Sequence, residues 1–424
     1  MADKGSTQRV VIIGAGFAGI EVARGLGKAG VPVTLIDRQN YHLFQPLLYQ
    51  VATAALSPGD IAEPIRKMLR RYRSVEVVLG DITGIDREAR TVALADGTMI
   101  AYDWLVLATG SMHSYFGHDD WSVSAPGLKT IEDARRIRSR LLLAFEEAEM
   151  SRDPAEQKRL MTIAVIGGGP TGVELAGSIA ELARYTLAKD FHRIHAEATT
   201  VLLLEAGDRI LNAFPASLAA YAQRKLERLG VTVRVRAAVE RVTDRSILLA
   251  GEEIGVGFTI WAAGVSASGL GRLLGVPTDR AGRIAVNGDL SVPQLQNTYV
   301  LGDLAVCKDE HGNPLPGLAQ VAKQEGQYLG RALARRIREG LSPPPFRFRN
   351  RGNTAIIGRH AAVFDFGWWQ LRGWIAWVFW ALIHVYLLSG FEHRLLVAVQ
   401  WLWRYLTYER GARLIVEQPK RESG

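Results

Sequence analysis

Three glycines, Gly14, Gly16 and Gly19, follow a short apolar run (RVVIIG, residues 9–14) with the spacing G-x-G-x-x-G. Glycines so placed make a tight turn, let backbone approach a pyrophosphate, and let a helix pack closely. The helix N-terminus adds amide hydrogens and a partial positive charge. Asp37, 23 residues after Gly14, closes the next apolar run, where a carboxylate accepts hydrogen bonds from ribose hydroxyls. The glycine pattern returns at Gly167, Gly169 and Gly172, but the acid that closes the following run, Glu205, stands 38 residues after Gly167. That exceeds the usual spacing of about 20 and predicts an extended helix and loop over residues 186–198. A carboxylate on this second ribose would repel a 2′-phosphate, favouring NADH over NADPH. Two nucleotide sites on one chain suggest a flavin facing a nicotinamide, with hydride passing between them. Asp303, in VLGD, is then a candidate for the flavin's ribityl chain, with a plain helix cap as the alternative.

These residues need elements to hold them. RVVIIG, GAGFAG, a periodic stretch to residue 29 and VPVTLID read as strand, turn, helix and strand; TIAVIG, GGPTGVELAG and TVLLLEA repeat the order. Each unit later adds a strand ending in small residues, LATG at 107–110 and WAAG at 261–264, so Gly14 to Gly110 is 96 positions and Gly167 to Gly264 is 97. The chain reads as two copies of one nucleotide-binding architecture, the second about 153 residues after the first. After NTYVLGD, the stretch GLAQVAKQEGQYLGRAL reads as a helix, with Gln320 and Gln324 on one face. SPPPF breaks the chain, and FRFRNRGNTAIIGRHAAVF reads as one or two strands.

Composition narrows the classes. The 424 residues contain 43 glycines and one cysteine, Cys307, which excludes an internal disulfide, a dithiol pair and a four-ligand zinc site. Cys307 reads as a small packing residue. His192 and His195 are expected on one helical face with no third ligand nearby, so no metal is expected. The excess of 51 Lys+Arg over 43 Asp+Glu gives +8, spread along the chain, which suits an anionic membrane surface better than nucleic acid. The polar start at residues 1–8 lacks a secretory layout, so a cytoplasmic location is expected.

Seven of the ten tryptophans lie between Trp368 and Trp403. Residues 373–391 form an uncharged run of 19, just long enough to cross a bilayer core, but His384 and the tryptophans favour lying in one leaflet. Residues 395–406, with Gln400 and Arg404 interposed, read as an amphipathic surface helix. The region after Phe366 is therefore expected to be a membrane anchor outside the nucleotide-binding core. A buried inter-subunit helix pair, making a homodimer, is the alternative.

GAGFAG with IDRQNYHLFQPLLYQVATAALSPGDIA, GGGPTGVELAG, VLGD, AQVAKQEG and RYLTYERGARLI together resemble the type II NADH:quinone oxidoreductases, the non-pumping single-subunit respiratory NADH dehydrogenases. The resemblance covers nearly the whole chain, and its discriminating parts are residues 44–57, the two glutamines and the C-terminal sequence. It implies an α/β fold of two Rossmann-like dinucleotide-binding domains, like glutathione reductase, plus a C-terminal membrane-attachment region. The expected division is 1–120 and 286–340 for FAD, 121–285 for NADH, and 341–424 for C-terminal strands and membrane-anchoring helices. Noncovalent FAD is expected on Gly14, Gly16, Gly19, Asp37, Arg38, Ala108, Thr109, Gly110, Gly302 and Asp303, and NADH on Gly167, Gly169, Glu174 and Glu205. The resemblance makes Glu174 the candidate for positioning the nicotinamide and relaying a proton. It places Gln320 and Gln324 at the quinone. Arg351 stands where the family usually has Lys and is given no role. The expected enzyme passes hydride from NADH through FAD to a membrane quinone, as a monotopic protein on the cytoplasmic face of the inner membrane. A sulfide:quinone or ferredoxin-type flavin reductase and a nonenzymatic flavin-binding membrane scaffold are the alternatives.

Overall fold

The computed structural model describes residues 8–388, 391–407 and 411–415. Its contacts divide the chain into two units: Met1–Leu43 with Ala62–Met112 and Val265–Asn350, and Phe44–Ile61 with His113–Gly264 and Arg351–Gly424.

The first unit is built on a parallel five-stranded sheet in the order Thr298–Val300, Trp104–Leu107, Val10–Ile13, Val33–Asp37, Val75–Leu79. Its strands are continuously apolar because both faces are covered. Val10, Ile12, Leu35 and Val106 enter one core, and Val11, Ile13, Ile36 and Leu107 enter the other. Helix Phe17–Lys28 lies against helix Ala319–Glu339, and glycines allow the approach. A Cβ on Gly25 would stand 2.7 Å from the Gly330 backbone, and one on Gly326 would stand 2.3 Å from the Ala18 carbonyl oxygen. The Pro-rich stretch after this helix folds back along it. Tyr328 donates its hydroxyl proton to the Pro344 carbonyl, and the Phe346 N–H bonds Gly288.

The second unit repeats the plan with a four-stranded parallel sheet in the order Val231–Arg234, Thr200–Leu204, Thr162–Ile166, Phe258–Trp261. The extra sequence before Glu205, expected as an extended helix and loop, is loop beyond Lys189 with one further short turn. Helix Pro170–Glu181 passes into a π turn at Leu182–Thr186 and a 3-10 turn at Leu187–Lys189, and a further 3-10 turn forms at Ala196–Ala198. His192 and His195 therefore do not share a helical face. The Glu149 carboxylate accepts the backbone N–H groups of His192, Arg193 and Ile194 and bends the chain there instead.

The expectation for the region after Phe366 also needs correction. Gln370–Gly373 is the third strand of an antiparallel sheet with Asn353–Gly358 and Ala361–Asp365, and this sheet packs on the helices of the second unit. A Cβ on Gly177 would stand 1.8 Å from the Ile357 carbonyl oxygen. Helix Trp374–Leu387 packs on this sheet in turn, and helix Phe391–Thr407 lies against helix Trp374–Leu387 and helix Pro58–Ile61. Among the described residues no helix is long and apolar enough to cross a membrane. Residues 389–390 of the 19-residue run and residues 408–410 of the closing C-terminal sequence lie outside the described residues, as do residues 1–7 and 416–424.

Candidate functional site

The two glycine turns are built alike, atom for atom. Strand Val10–Ile13 sits between its neighbours so that Gly14 follows Ile13, which is paired with Ile36 and Leu107. Ile166, just before Gly167, is paired in the same way with Leu204 and Trp261. Each turn therefore stands between an acid and a small residue on the neighbouring strand ends. The backbone of Gly14 has φ +98° and that of Gly167 has φ +111°, a region open to glycine. A Cβ would strike the Ala108 carbonyl oxygen at 2.5 Å in the first turn and the Ala262 carbonyl at 2.6 Å in the second. The third glycines, Gly19 and Gly172, lie against the carbonyl oxygens of Gly14 and Gly167, where a Cβ would stand at 1.8 Å in both cases.

The middle glycines differ. A Cβ on Gly16 would meet nothing nearer than 4.0 Å, and one on Gly169 would meet nothing within 4 Å. Both are the first, half-helical residues of their helices, and neither helix has a side chain capping its N-terminus or an acid in its first turn. A helix start without a side-chain cap, and with open space beside a residue lacking a side chain, fits a pyrophosphate at each turn.

The acids lock these turns. Asp37 accepts the N–H of Ala15 at 2.6 Å on one oxygen and that of Gln39 at 2.8 Å on the other. Glu205 accepts the N–H of Gly168 at 2.6 Å and that of Gly207 at 2.7 Å. The different sequence spacings thus converge on one geometry. Burial raises the Asp37 pKa, against the lowering effect of these N–H bonds. Arg38 is exposed beside it, Gly110 has φ +66°, and the hydroxyls of Thr109 and Ser268 are hydrogen-bonded.

Asp303 lies in a 3-10 turn, Gly302–Leu304, and caps no long helix. It accepts the Ser111 hydroxyl at 2.6 Å and lines a cleft of ≈ 110 Å³ with Gly302, Arg283, Cys307, Gly317 and Glu325. Glu325 is a residue that reading by motif missed. It is 1 % exposed and accepts the Gly302 N–H at 2.6 Å. Its position inside AQVAKQEG, one residue past Gln324 and so turned about 100° around the helix, was the available signal.

Glu174 is half-buried on helix Pro170–Glu181, and desolvation pushes its carboxyl up to about 8. Its single backbone partner is the Ile356 N–H, at a long 3.5 Å. Gln320 and Gln324 lie in the first turns of helix Ala319–Glu339. The Gln324 amide is engaged at both ends: it donates to the Arg349 carbonyl at 2.9 Å and accepts the Arg349 N–H at 3.0 Å. Cys307 is buried, and burial with the nearby Glu325 pushes its thiol up to about 12.

Residues 8–326 match the family described as pyridine nucleotide-disulphide oxidoreductase. The chain is 41% identical over 430 residues to the type II NADH:quinone oxidoreductase NdhA of Mycobacterium tuberculosis, covering 98% of this chain and 90% of that protein. It is 31% identical to an internal alternative NAD(P)H-ubiquinone oxidoreductase of Arabidopsis thaliana, covering 95% of this chain and 85% of that one. Its fold matches NDH2 of Plasmodium falciparum, solved in complex with NADH, with a TM-score of 0.88 and 20% identity over 97% of this chain and all of that one. A sulfide:quinone oxidoreductase from Aquifex aeolicus gives a lower TM-score, 0.66, at 18% identity. With twin glycine turns on paired parallel sheets and this likeness along nearly its whole length, the chain belongs to the type II NADH:quinone oxidoreductases.

Proposed function

We propose that this protein catalyses NADH + H⁺ + quinone → NAD⁺ + quinol, with noncovalent FAD in the first unit and NADH in the second. The observation that carries the reading is the duplicated turn: one chain has two open, uncapped helix starts, each tied to a carboxylate. Bound FAD would supply a two-electron acceptor that can pass electrons to a quinone. Gly14, Gly16 and Gly19 would cradle its pyrophosphate, Asp37 and Arg38 would flank its ribose, Ala108, Thr109 and Gly110 would border it at the end of strand Trp104–Leu107, and Gly302 and Asp303 would meet its ribityl chain. Gly167 and Gly169 receive the NADH pyrophosphate, and Glu205 its ribose. The FAD-binding part is then Met1–Leu43 with Ala62–Met112 and Val265–Asn350, against the 1–120 and 286–340 expected, and the NADH-binding part lies within His113–Gly264, against the 121–285 expected.

The reaction takes up one proton beyond those NADH carries. Glu174 is suited to hold it, because an acid with a pKa of about 8 keeps its proton at neutral pH and can release it. Gln320 is assigned to the quinone. Gln324 serves the same side, and its two hydrogen bonds with the Arg349 backbone also keep the chain after the Pro-rich segment in place.

Attachment to one leaflet is the role of the last two helices. Ile375, Phe379, Leu382 and Tyr386 form an exposed apolar stripe, while Ala376, Trp380 and His384 face inward. Burial holds His384 down to about 4, so it is neutral, and Nδ1 lies 2.8 Å from the Trp380 carbonyl. Fourteen helical residues extend about 21 Å, short of a bilayer core of about 30 Å. This geometry supports the expected peripheral, monotopic placement and a membrane quinone as acceptor.

Purified protein, mixed with NADH and a short-tailed quinone, should consume the two in equal amounts and acidify no vesicle lumen when reconstituted. Consumption of NADH without quinol formation would remove the proposal.

A further inference from the structure

Glu325 is a carboxylic acid buried to 1 % exposure in the cofactor cleft, and no described residue forms an ion pair with it. Its neighbours make it an unusual site for a charge. Asp303 faces it from the 3-10 turn Gly302–Leu304, Cys307 from beyond strand Ala305–Val306, and Arg283 from the cleft wall. Arg283 is committed to Asp279 at 2.8 Å. On the neighbouring helix Phe17–Lys28, Glu21 turns to Arg24 and Gln327. An unpaired buried carboxylate beside a second carboxylate is costly, and the inexpensive form is the neutral acid. That acid still accepts the Gly302 N–H at 2.6 Å, and Gly302 is the residue, at φ +67°, that presents Asp303.

We propose that Glu325 is a positioning residue of the cofactor cleft, which as a neutral acid holds the Gly302–Asp303 turn in the geometry that retains FAD. The inference rests on the assignment of FAD to the first unit. Burial, with the Asp303 charge adding to it, raises the Glu325 carboxyl to about 8, so the neutral form is full below that pH and is lost as pH rises through it. Ionisation then places two negative charges in a cleft of ≈ 110 Å³.

The experiment is flavin release from the purified full-length holoenzyme, followed by the fluorescence of free FAD, between about pH 7 and about pH 9.5. In the wild type, release should quicken by about tenfold across that range. Glu325→Gln keeps a neutral acceptor and should stay within about twofold of its own neutral value throughout. Glu325→Leu removes the acceptor and should release FAD faster at every pH. An identical pH dependence in the wild type and Glu325→Gln would overturn the proposal, and so would Leu retaining FAD like the wild type. If Glu325→Leu fails to fold, the Gln comparison decides alone. A wild-type protein that binds no FAD at all would instead defeat the cofactor assignment.

Discussion

At the residue scale, the twin turns separate glycines the fold needs from glycines a ligand needs. Gly169→Ala places its Cβ in open space at φ −70°, so stability should change by less than about 0.5 kcal/mol. The KM for NADH should nevertheless rise by about tenfold or more, since a methyl group would stand where the NADH pyrophosphate is proposed to bind. Gly167→Ala, at φ +111° against the Ala262 backbone, should lower the denaturation midpoint outright. Equal effects of the two on stability would contradict the distinction. Glu205→Gln should narrow the NADH preference by about tenfold, for about 1.4 kcal/mol of relieved repulsion. It should also cost stability, because one of the N–H groups of Gly168 and Gly207 would face an amide nitrogen. An unchanged ratio of kcat/KM for NADH and NADPH would sink that role. Glu174 supplies a pH test. Its folded-state pKa of about 8 is raised, so its contribution to stability is full below the unfolded carboxylate value and disappears as pH rises through about 8. Melting curves of Glu174→Gln should accordingly fall less between about pH 5 and about pH 9 than those of the wild type; parallel falls would show that Glu174 is not the group responsible.

At the element scale, the strands, turns and cradle helices were legible because period, glycine spacing and strand-end acids all pointed the same way. Val10–Ile13 and Thr162–Ile166 are short β-branched runs covered on both faces, and such runs leave a plain signature. The stretch before Glu205 misled because its helical composition is overridden by Glu149, a carboxylate more than 40 residues away that gathers three backbone N–H groups. No local pattern records such a partner. Glu325 was hidden for a related reason: its burial depends on helix Ala319–Glu339 pressing against the Gly302 turn. The same helix crosses Phe17–Lys28 at Gly326, where a Cβ would meet the Ala18 carbonyl oxygen at 2.3 Å. Gly326→Ala should therefore destabilise by about 1–3 kcal/mol, read as a shift in denaturant midpoint with unchanged slope. A neutral result would mean that the two helices separate at little cost.

At the scale of the whole molecule, two nucleotide cradles and an apolar surface share one chain, and each has its own test. The stripe of Ile375, Phe379 and Leu382 is exposed, so replacing all three by serine should leave the fold intact while flotation with anionic vesicles falls by about tenfold or more. Unchanged flotation would move the attachment elsewhere. The likeness to known type II enzymes extends along the chain, while between the glutamine pair and the closing RYLTYERGARLI the sequence carries composition without a fixed spacing. The most direct measurement of the central claim is anaerobic sequential mixing of the purified protein, first with NADH and then with a quinone. The flavin absorbance should bleach on the first mixing and return on the second, with one quinol formed per NADH consumed. A flavin that stays oxidised after NADH, or one that bleaches and is not reoxidised by quinone, would contradict the account.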